Sequence, residues 1–394
     1  MVKSFEKKYI WRSLIPLLWN KNIMNSKRIK FLVFSASYPY RGGISDSTHS
    51  FCNELINNNI NTEVWTFSVL YPNLIFPGKT QYSNEKYNQN FIVRRLINTI
   101  NPFNWIRISK KVNKLNPEFL ILRYWSPILC LPYFFIGLFL NKKIKVIGLI
   151  DNWTNHEKIP FESILRKLLV NVCNSFISFS DNVGDQIKLS TNKKVLSLFH
   201  PINSNLPEIK NKQNAKENLD LDDSYYVSFI GLIRKYKGVD LLINSFKYLK
   251  NENIKLIIAG EFYDPIDKYL NQINKLGLKE KVIIENNFLE SSKIRDYVCA
   301  SDLIVQPYTR ASQSGITPVA YFYDTPLVVS NINGLKEIIQ RDKSGEVFNN
   351  SAKELSIAIL NTIKNDKQEL YISNIRKAKI KYTWLRFIKE PEKI

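Results

Sequence analysis

The chain has 394 residues, 44% of them hydrophobic and 13% aromatic, which is enough for two domains with packed cores and is not the composition of a disordered chain. Its four cysteines (Cys52, Cys130, Cys173, Cys299) form no CxxC pair and its three histidines (His49, His156, His200) form no cluster; this argues against a disulfide frame, a zinc site or a protein-held catalytic metal. The formal charge is +21, and residues 1–200 carry +16 of it, with 27 Lys and Arg against 11 Asp and Glu. That asymmetry points the first half at something anionic: a membrane surface, a phosphorylated lipid or nucleic acid. A general bias towards Lys, Asn and Ile raises lysine throughout, but it does not confine the excess to one half.

Residues 1–30 precede the first strand. Basic residues there alternate with Trp11, Leu14, Leu17, Leu18 and Trp19, and Pro16 interrupts the run. The segment is short for a spanning helix and has no small-residue cleavage site after its apolar part. Attachment to a bilayer interface, a helix packed on the domain and a frayed tail all fit it. Residues 29–37 read as a buried parallel strand. Gly42 and Gly43 follow, then a helical pattern from Thr48 to Asn57. Strand, glycine pair and helix is an arrangement that brings backbone N–H groups to an anion.

Glu63–Phe67 fits a second strand, 68–90 a long loop, Phe103–Lys114 a helix and Phe119–Leu122 a strand. Tyr124–Leu140 is uncharged for 17 residues, with Pro127 and Pro132 inside. A core helix that Pro132 would kink explains it most simply; a patch dipping into lipid comes second and a membrane span third. The strand Lys145–Ile150 ends in Asp151 and Asn152, with His156 and Glu157 close behind. Polar side chains bunched at a strand's carboxyl end are site candidates by position. Ser163–Val172 is a helix and Ser175–Ser180 a strand. Asp181 caps the next helix, and Lys194–Phe199 is a further strand.

Residues 206–224, poor in apolar side chains, read as a linker between a domain of 31–205 and a second of 225–375. The most informative stretch of the chain opens that second domain. The strand Val227–Ile230 runs into Gly231, then into Arg234, Lys235 and Lys237, and Gly238 opens a helix. A strand ending in glycine and cations is a natural anion site. Further strands end at Gly260-Glu261, Pro307-Tyr308 and Ser330. A loop reaches Ser314-Gly315 ahead of a helix, Gly334 to Glu337 opens another, and Glu354–Ile363 is a helix. The strand–helix alternation in both halves predicts an α/β protein of two facing, Rossmann-like, doubly wound parallel-sheet domains.

From Gly231 through Lys237-Gly238, Leu256–Gly260, Ala300–Pro307, Gly315–Ser330 and Gly334–Glu337 with Gly345, the chain resembles glycosyltransferase family 4. These are retaining enzymes of the GT-B fold that use nucleotide sugars. The agreement covers about 225–363; the first half agrees more loosely, through Gly42-Gly43 and the strand ending at Asp151. Tyr382-Thr-Trp384 resembles the family's closing helix, so 376–394 is expected to return to the first domain.

The resemblance implies that Lys237 grips the donor diphosphate, with Arg234 beside it. Gly42, Gly43, Gly231, Glu261, Ser314 and Gly315 would lie on the donor. By their position at the strand end, Asp151 and His156 are expected to join Arg234 and Lys237 as catalytic residues facing the acceptor, with Asn152 and Glu157 on the acceptor side. The resemblance implies no protein-bound metal, a nucleoside-diphosphate sugar as co-substrate, and anion stabilisation as the catalytic principle. Three positions depart from the family pattern: Leu232 stands where an arginine is usual, Ala311 and Val319 where two glutamates are usual, and Asp151 where a histidine is usual. Residues 234–238, 312–315 and 156–157 resemble a branch with Arg-Lys-Tyr-Lys-Gly, Ser-Gln-Ser-Gly and His-Glu.

The expected activity is retaining sugar transfer to a glycan or lipid-linked acceptor, on the cytoplasmic side and peripheral to an anionic membrane surface. Its rivals are a sugar-nucleotide epimerase of the same fold and a non-catalytic partner of another transferase. Nucleic acid is the poorest fit, since no recognition module or aromatic stacking platform is present.

Overall fold

The computed structural model describes residues 29–72, 76, 78–83, 89–155, 161–364 and 367–389. The basic segment 1–28, and His156 and Glu157, lie outside the described residues. The chain divides into two compact units. One is the chain up to Asn205 together with the stretch from Thr383; the other is Leu206–Tyr382.

The first unit holds a seven-stranded, all-parallel sheet. Its strands are β1 (Phe31–Phe34), β2 (Thr62–Val69), β3 (Ile92–Asn98), β4 (Phe119–Tyr124), β5 (Lys145–Ile150), β6 (Ser175–Ser178) and β7 (Lys194–Ser197). Their order is β3-β2-β1-β4-β5-β6-β7. The helices are α1 (Gly43–Asn57), α2 (Pro102–Leu115), α3 (Cys130–Leu138), α4 (Glu162–Val172) and α5 (Asp181–Lys188). Side chains alternate across the sheet as the two-residue strand period requires. Leu32 and Phe34 enter a core with Trp105, Ile108, Tyr133, Ile136, Leu169 and Val183 of α2 to α5. Phe31 and Val33 enter the opposite core with Phe51, Cys52 and Leu55 of α1. Trp384, Phe387 and Ile388 of the last helix share that second core.

The second unit holds six parallel strands in the order β10-β9-β8-β11-β12-β13. They are β8 (Tyr225–Ile230), β9 (Ile254–Ala259), β10 (Val282–Glu285), β11 (Leu303–Gln306), β12 (Leu327–Ser330) and β13 (Gly345–Phe348). Eight helices belong to it: α6 (Lys212–Glu217), α7 (Val239–Ser245), α8 (Asp267–Lys275), α9 (Ser291–Ala300), α10 (Ile316–Phe322), α11 (Lys336–Asp342), α12 (Ala352–Lys364) and α13 (Lys367–Lys379). The closing α14 (Trp384–Lys389) lies in the first unit. In each sheet the strand order reverses once, between β1 and β4 and between β8 and β11, so each unit has a switch point at the carboxyl ends of its strands.

Several sequence expectations need correction. β3 lies within a stretch with no expected element, and β13 and α13 add to those foreseen. Pro132 does not kink a long helix: Tyr124 closes β4, Pro127–Leu129 forms a 3-10 turn, and α3 starts at Cys130 with Pro132 in its first turn. There a proline costs no intrahelical hydrogen bond. Ser180, not Asp181, caps α5, its Oγ accepting from the Val183 amide at 3.2 Å. The stretch 206–224 is not bare linker, because α6 packs on α9 within the second unit. Ala215 is fully buried there, Lys216 donates to the Ser224 carbonyl at 2.9 Å, and Lys212 pairs with Asp302. Among the described residues no helix is long and apolar enough to cross a membrane.

Candidate functional site

In the second unit the sequence-predicted cations gather at the β8/β11 switch point. β8 ends at Ile230, and Gly231 turns the chain at φ +120°. A side chain there would stand 3.6 Å from Lys237 Nζ and 3.9 Å from Ile316. Lys235–Lys237 form one 3-10 turn and Gly238 closes it at φ +67°. A Cβ on Gly238 would fall 1.9 Å from the Pro307 carbonyl oxygen, so only glycine lets this turn lie against the loop after β11. The Thr309 amide and hydroxyl both donate to the Tyr236 carbonyl, at 2.8 and 3.1 Å, and tie the two loops together. Behind them Gly260 packs on the Gly231 carbonyl, and the Ile233 amide donates to the Glu261 carbonyl at 2.9 Å. Glu261 is buried in that strap.

These straps fix where Lys237 points. Its Nζ lies 5.3 Å from the Tyr308 ring centre and 6.0 Å from that of Phe229. Aromatic faces attract a cation but solvate it less well than water does. Burial, with the neighbouring Arg234 charge second, pushes the Lys237 pKa down to about 8. Arg234 itself stacks 4.8 Å over Tyr263. Ser314, buried beside this pair of loops, holds its hydroxyl 3.5 Å from Tyr308 Oη and accepts from the Ile316 amide at 3.4 Å. Gly315 is open: a Cβ there would meet nothing within 4 Å. The floor of the loop is pinned by Gln306 to Thr317, at 3.1 Å. The arrangement presents two cations and an uncovered glycine around one strand end, which is what an anionic ligand requires.

In the first unit, Gly42 takes φ +98° as the N-cap of α1, and neither it nor Gly43 has an atom within 4 Å of a would-be Cβ. The feature that sequence reasoning missed is Arg123. In parallel register β4 and β5 run in step, Arg123 beside Leu149, and this sets its guanidinium next to Asp151. Nε and Nη2 donate to the two Asp151 oxygens at 2.8 and 2.7 Å. Nη1 donates to Thr48 Oγ1 at 2.9 Å and to the Ile44 carbonyl at 3.1 Å, and Nη2 also reaches Ser47 Oγ at 2.7 Å. Both partners are buried.

The pair therefore clamps the first two turns of α1, just behind Gly42-Gly43, to the ends of β4 and β5. A buried ion pair with all its hydrogen bonds filled is a strong geometric constraint. Asp151 is held within it, and His200 lies near enough that the Asp151 charge partly opposes the downward pull of burial on its pKa. Asn152 follows at the strand end, and Trp153 is anchored to Ser190 Oγ at 2.9 Å. Among the described residues no group of three or more His, Cys, Asp or Glu could hold a metal ion.

Comparison with known proteins bears first on the second unit. Residues 210–379 match the family model described as "Glycosyl transferases group 1". The second unit carries a glycosyltransferase group 1 domain. Over 256 residues the chain is 25% identical to an uncharacterized glycosyltransferase of Methanocaldococcus jannaschii, a match covering 62% of each chain. The chain thus spans less than two thirds of that relative's length.

Two solved structures share the fold. Sucrose-phosphate synthase of Thermosynechococcus elongatus has a TM-score of 0.73 at 12% identity, over 92% of this chain and 97% of its own. HepE of Anabaena, solved with UDP and glucose, has the same TM-score, identity and coverage. The chain has the GT-B fold. Within the glycosyltransferase domain the three departures can be located. Leu232 sits between Gly231 and the Arg234–Lys237 turn. Ala311 belongs to the loop on which Gly334 packs, 2.9 Å from that glycine's would-be Cβ, and Val319 lies on α10.

Proposed function

We propose that the protein is a retaining glycosyltransferase that moves a hexose-type sugar from a nucleoside diphosphate to a glycan or lipid-linked acceptor at the cytoplasmic face of a membrane. The observation that carries the reading is the placement of Lys237 at the β8/β11 switch point, desolvated, with Arg234, Gly231 and Gly315 around it. As the sugar–oxygen bond breaks, the departing diphosphate gains charge. A pre-positioned cation in a poorly solvated site lowers that barrier more than a solvated lysine would. Arg234 supplies a second cation where Leu232 supplies none. The UDP and glucose bound to HepE support a uracil nucleotide as the first donor to test. In the first unit the Arg123–Asp151 clamp makes Asp151 a positioning group for the Gly42-Gly43 turn, and Asn152 is a candidate acceptor contact.

The test is a thermal-shift and calorimetry panel of UDP, GDP, ADP and CDP on the wild type and Lys237→Ala. One diphosphate should raise the melting temperature of the wild type and not of the variant, and transfer in the variant should fall by about 10²- to 10³-fold. Analysis of the product's anomeric configuration then checks retention. The missing carboxylates at Ala311 and Val319 favour a second reading, a non-catalytic partner of another transferase. A folded wild type that binds none of the four nucleotides would select it.

A further inference from the structure

The outward side of α2 and α3 does not look like the surface of a helix that ends at water. α3 carries no charge, and its exposed residues Leu131, Phe135 and Leu138 follow one another at four and three residues, a single stripe on one face. The buried residues of the same helix, Tyr133 and Ile136, already fill the core. Much of the stripe is therefore left over from core packing.

Next to it, α2 exposes Phe103, at 82%, and Ile106. The two helices form one surface: the Trp105 and Phe135 rings stack 5.4 Å apart. Asn113 donates to the Phe139 carbonyl and accepts from the Asn141 amide, both at 2.8 Å. That junction gathers exposed Lys110, Lys111 and Lys114 of α2 with Lys142 and Lys143 beyond α3. Glu118 is the one acid between Phe91 and Leu149, against ten Lys and Arg. An apolar ridge with lysines at one end is complementary to hydrocarbon beside phosphate.

We infer that the α2–α3 face docks on an anionic lipid bilayer, the ridge entering the acyl boundary and the lysines meeting headgroup phosphates. A second copy of the chain is the poorer occupant, because this face offers five lysines and no facing cluster of acids, with Glu118 the one acid between Phe91 and Leu149, whereas headgroup phosphate supplies the counter-charge. The face is the flank of the sheet opposite α1, so lipid there leaves the Gly42-Gly43 turn uncovered. The inference deepens the membrane-borne acceptor reading by naming the surface, yet it is testable without any sugar nucleotide.

The experiment is co-sedimentation of the full chain with vesicles of phosphatidylcholine alone and of phosphatidylcholine mixed with phosphatidylglycerol. The wild type should bind the mixed vesicles and not the neutral ones. Phe103→Asp with Leu138→Asp, and separately Lys110→Glu with Lys111→Glu, should each weaken partitioning by about tenfold or more. Leu370→Asp, an exposed apolar position on α13, should change nothing. The lysine pair touches no core, so a melting temperature equal to wild type guards against misfolding. Equal binding to neutral vesicles, or full binding by both paired variants, would overturn the proposal. So would a wild-type dimer that the paired variants dissolve without any vesicle binding, which would give the face to a second copy. Vesicle binding with no nucleotide binding would leave the surface standing and remove the transferase reading.

Discussion

Lys237 holds its charge where little solvates it, and this has consequences in the empty and the occupied protein. Its pKa near 8 lies below the ordinary 10.5 of a lysine, chiefly through burial. The unfolded chain keeps that proton up to its higher pKa, so this group's contribution to stability rises as pH climbs from about 8 towards 10.5. Below 8 the charged head is a cost to folding. Lys237→Met should therefore raise the melting temperature of the empty protein at neutral pH, by about 2–4 °C for each ~1 kcal/mol removed. A diphosphate reverses the sign, because a partner anion favours the charged form and raises the pKa. Binding between about pH 8 and 10 should take up a proton, and affinity should fall with pH by up to about tenfold per unit. Calorimetry in buffers of different ionisation enthalpy reads that proton directly. At this scale the sequence shows the Gly231–Lys237 cluster because its parts are contiguous. It shows Asp151 at a strand end but not Arg123, 28 residues upstream, which takes both carboxylate oxygens. Only the β4–β5 register brings the two together.

At the scale of elements, two glycines separate structure from ligand. Gly238 sits at φ +67° with the Pro307 carbonyl where a methyl would go, and Gly315 sits at a helix N-cap with φ −67° and open space. Gly238→Ala should destabilise the second unit and weaken diphosphate binding together, because the turn that aims Lys237 must move. Gly315→Ala should leave the melting temperature of the empty protein within about 1 °C, the methyl meeting no atom. Any loss of nucleotide binding in that variant then reports close approach of the ligand. Unchanged binding would mean that the donor does not come near Gly315.

The elements that are legible in the sequence follow the same physical division. Central strands such as β4, β5, β8 and β9 are predominantly apolar, with single polar residues such as Arg123 and Ser228 among them, because both faces of a parallel sheet are covered. Of the four edge strands, β7 and β10 keep short apolar runs and are legible, while β3 and β13 are not. β3 reads Ile-Val-Arg-Arg-Leu-Ile-Asn, with Arg94 paired to Glu63 at 2.5 Å, and edge strands carry charge for good reason. α13 buries only Tyr371, Ile375 and Ala378 of its 13 residues, too sparse a stripe to stand out.

For the whole molecule the decisive quantity is charge, +21 in all and concentrated in residues 1–200. The two proposed anion sites, at Lys237 and on the α2–α3 face, should respond differently to salt. The lysines at the ends of α2 and α3 are exposed, so their attraction to headgroups acts through solvent and is screened over a Debye length. That length shrinks from ~10 Å near 0.1 M to ~3 Å near 1 M. The Lys237 head is partly enclosed by Tyr308 and Phe229 and would meet its phosphate at contact distance, where screening is weaker. Raising ionic strength across that range should release the protein from anionic vesicles by about tenfold or more. The diphosphate-induced shift in melting temperature should lose much less. Both can be measured on one preparation, by co-sedimentation and by thermal shift. A parallel collapse of the two would mean that the nucleotide is held by solvent-exposed surface charge, and Lys237 would lose its central place. Vesicle binding that survives high salt would instead put the weight on the Phe103 and Leu138 ridge, with the lysines only steering the approach.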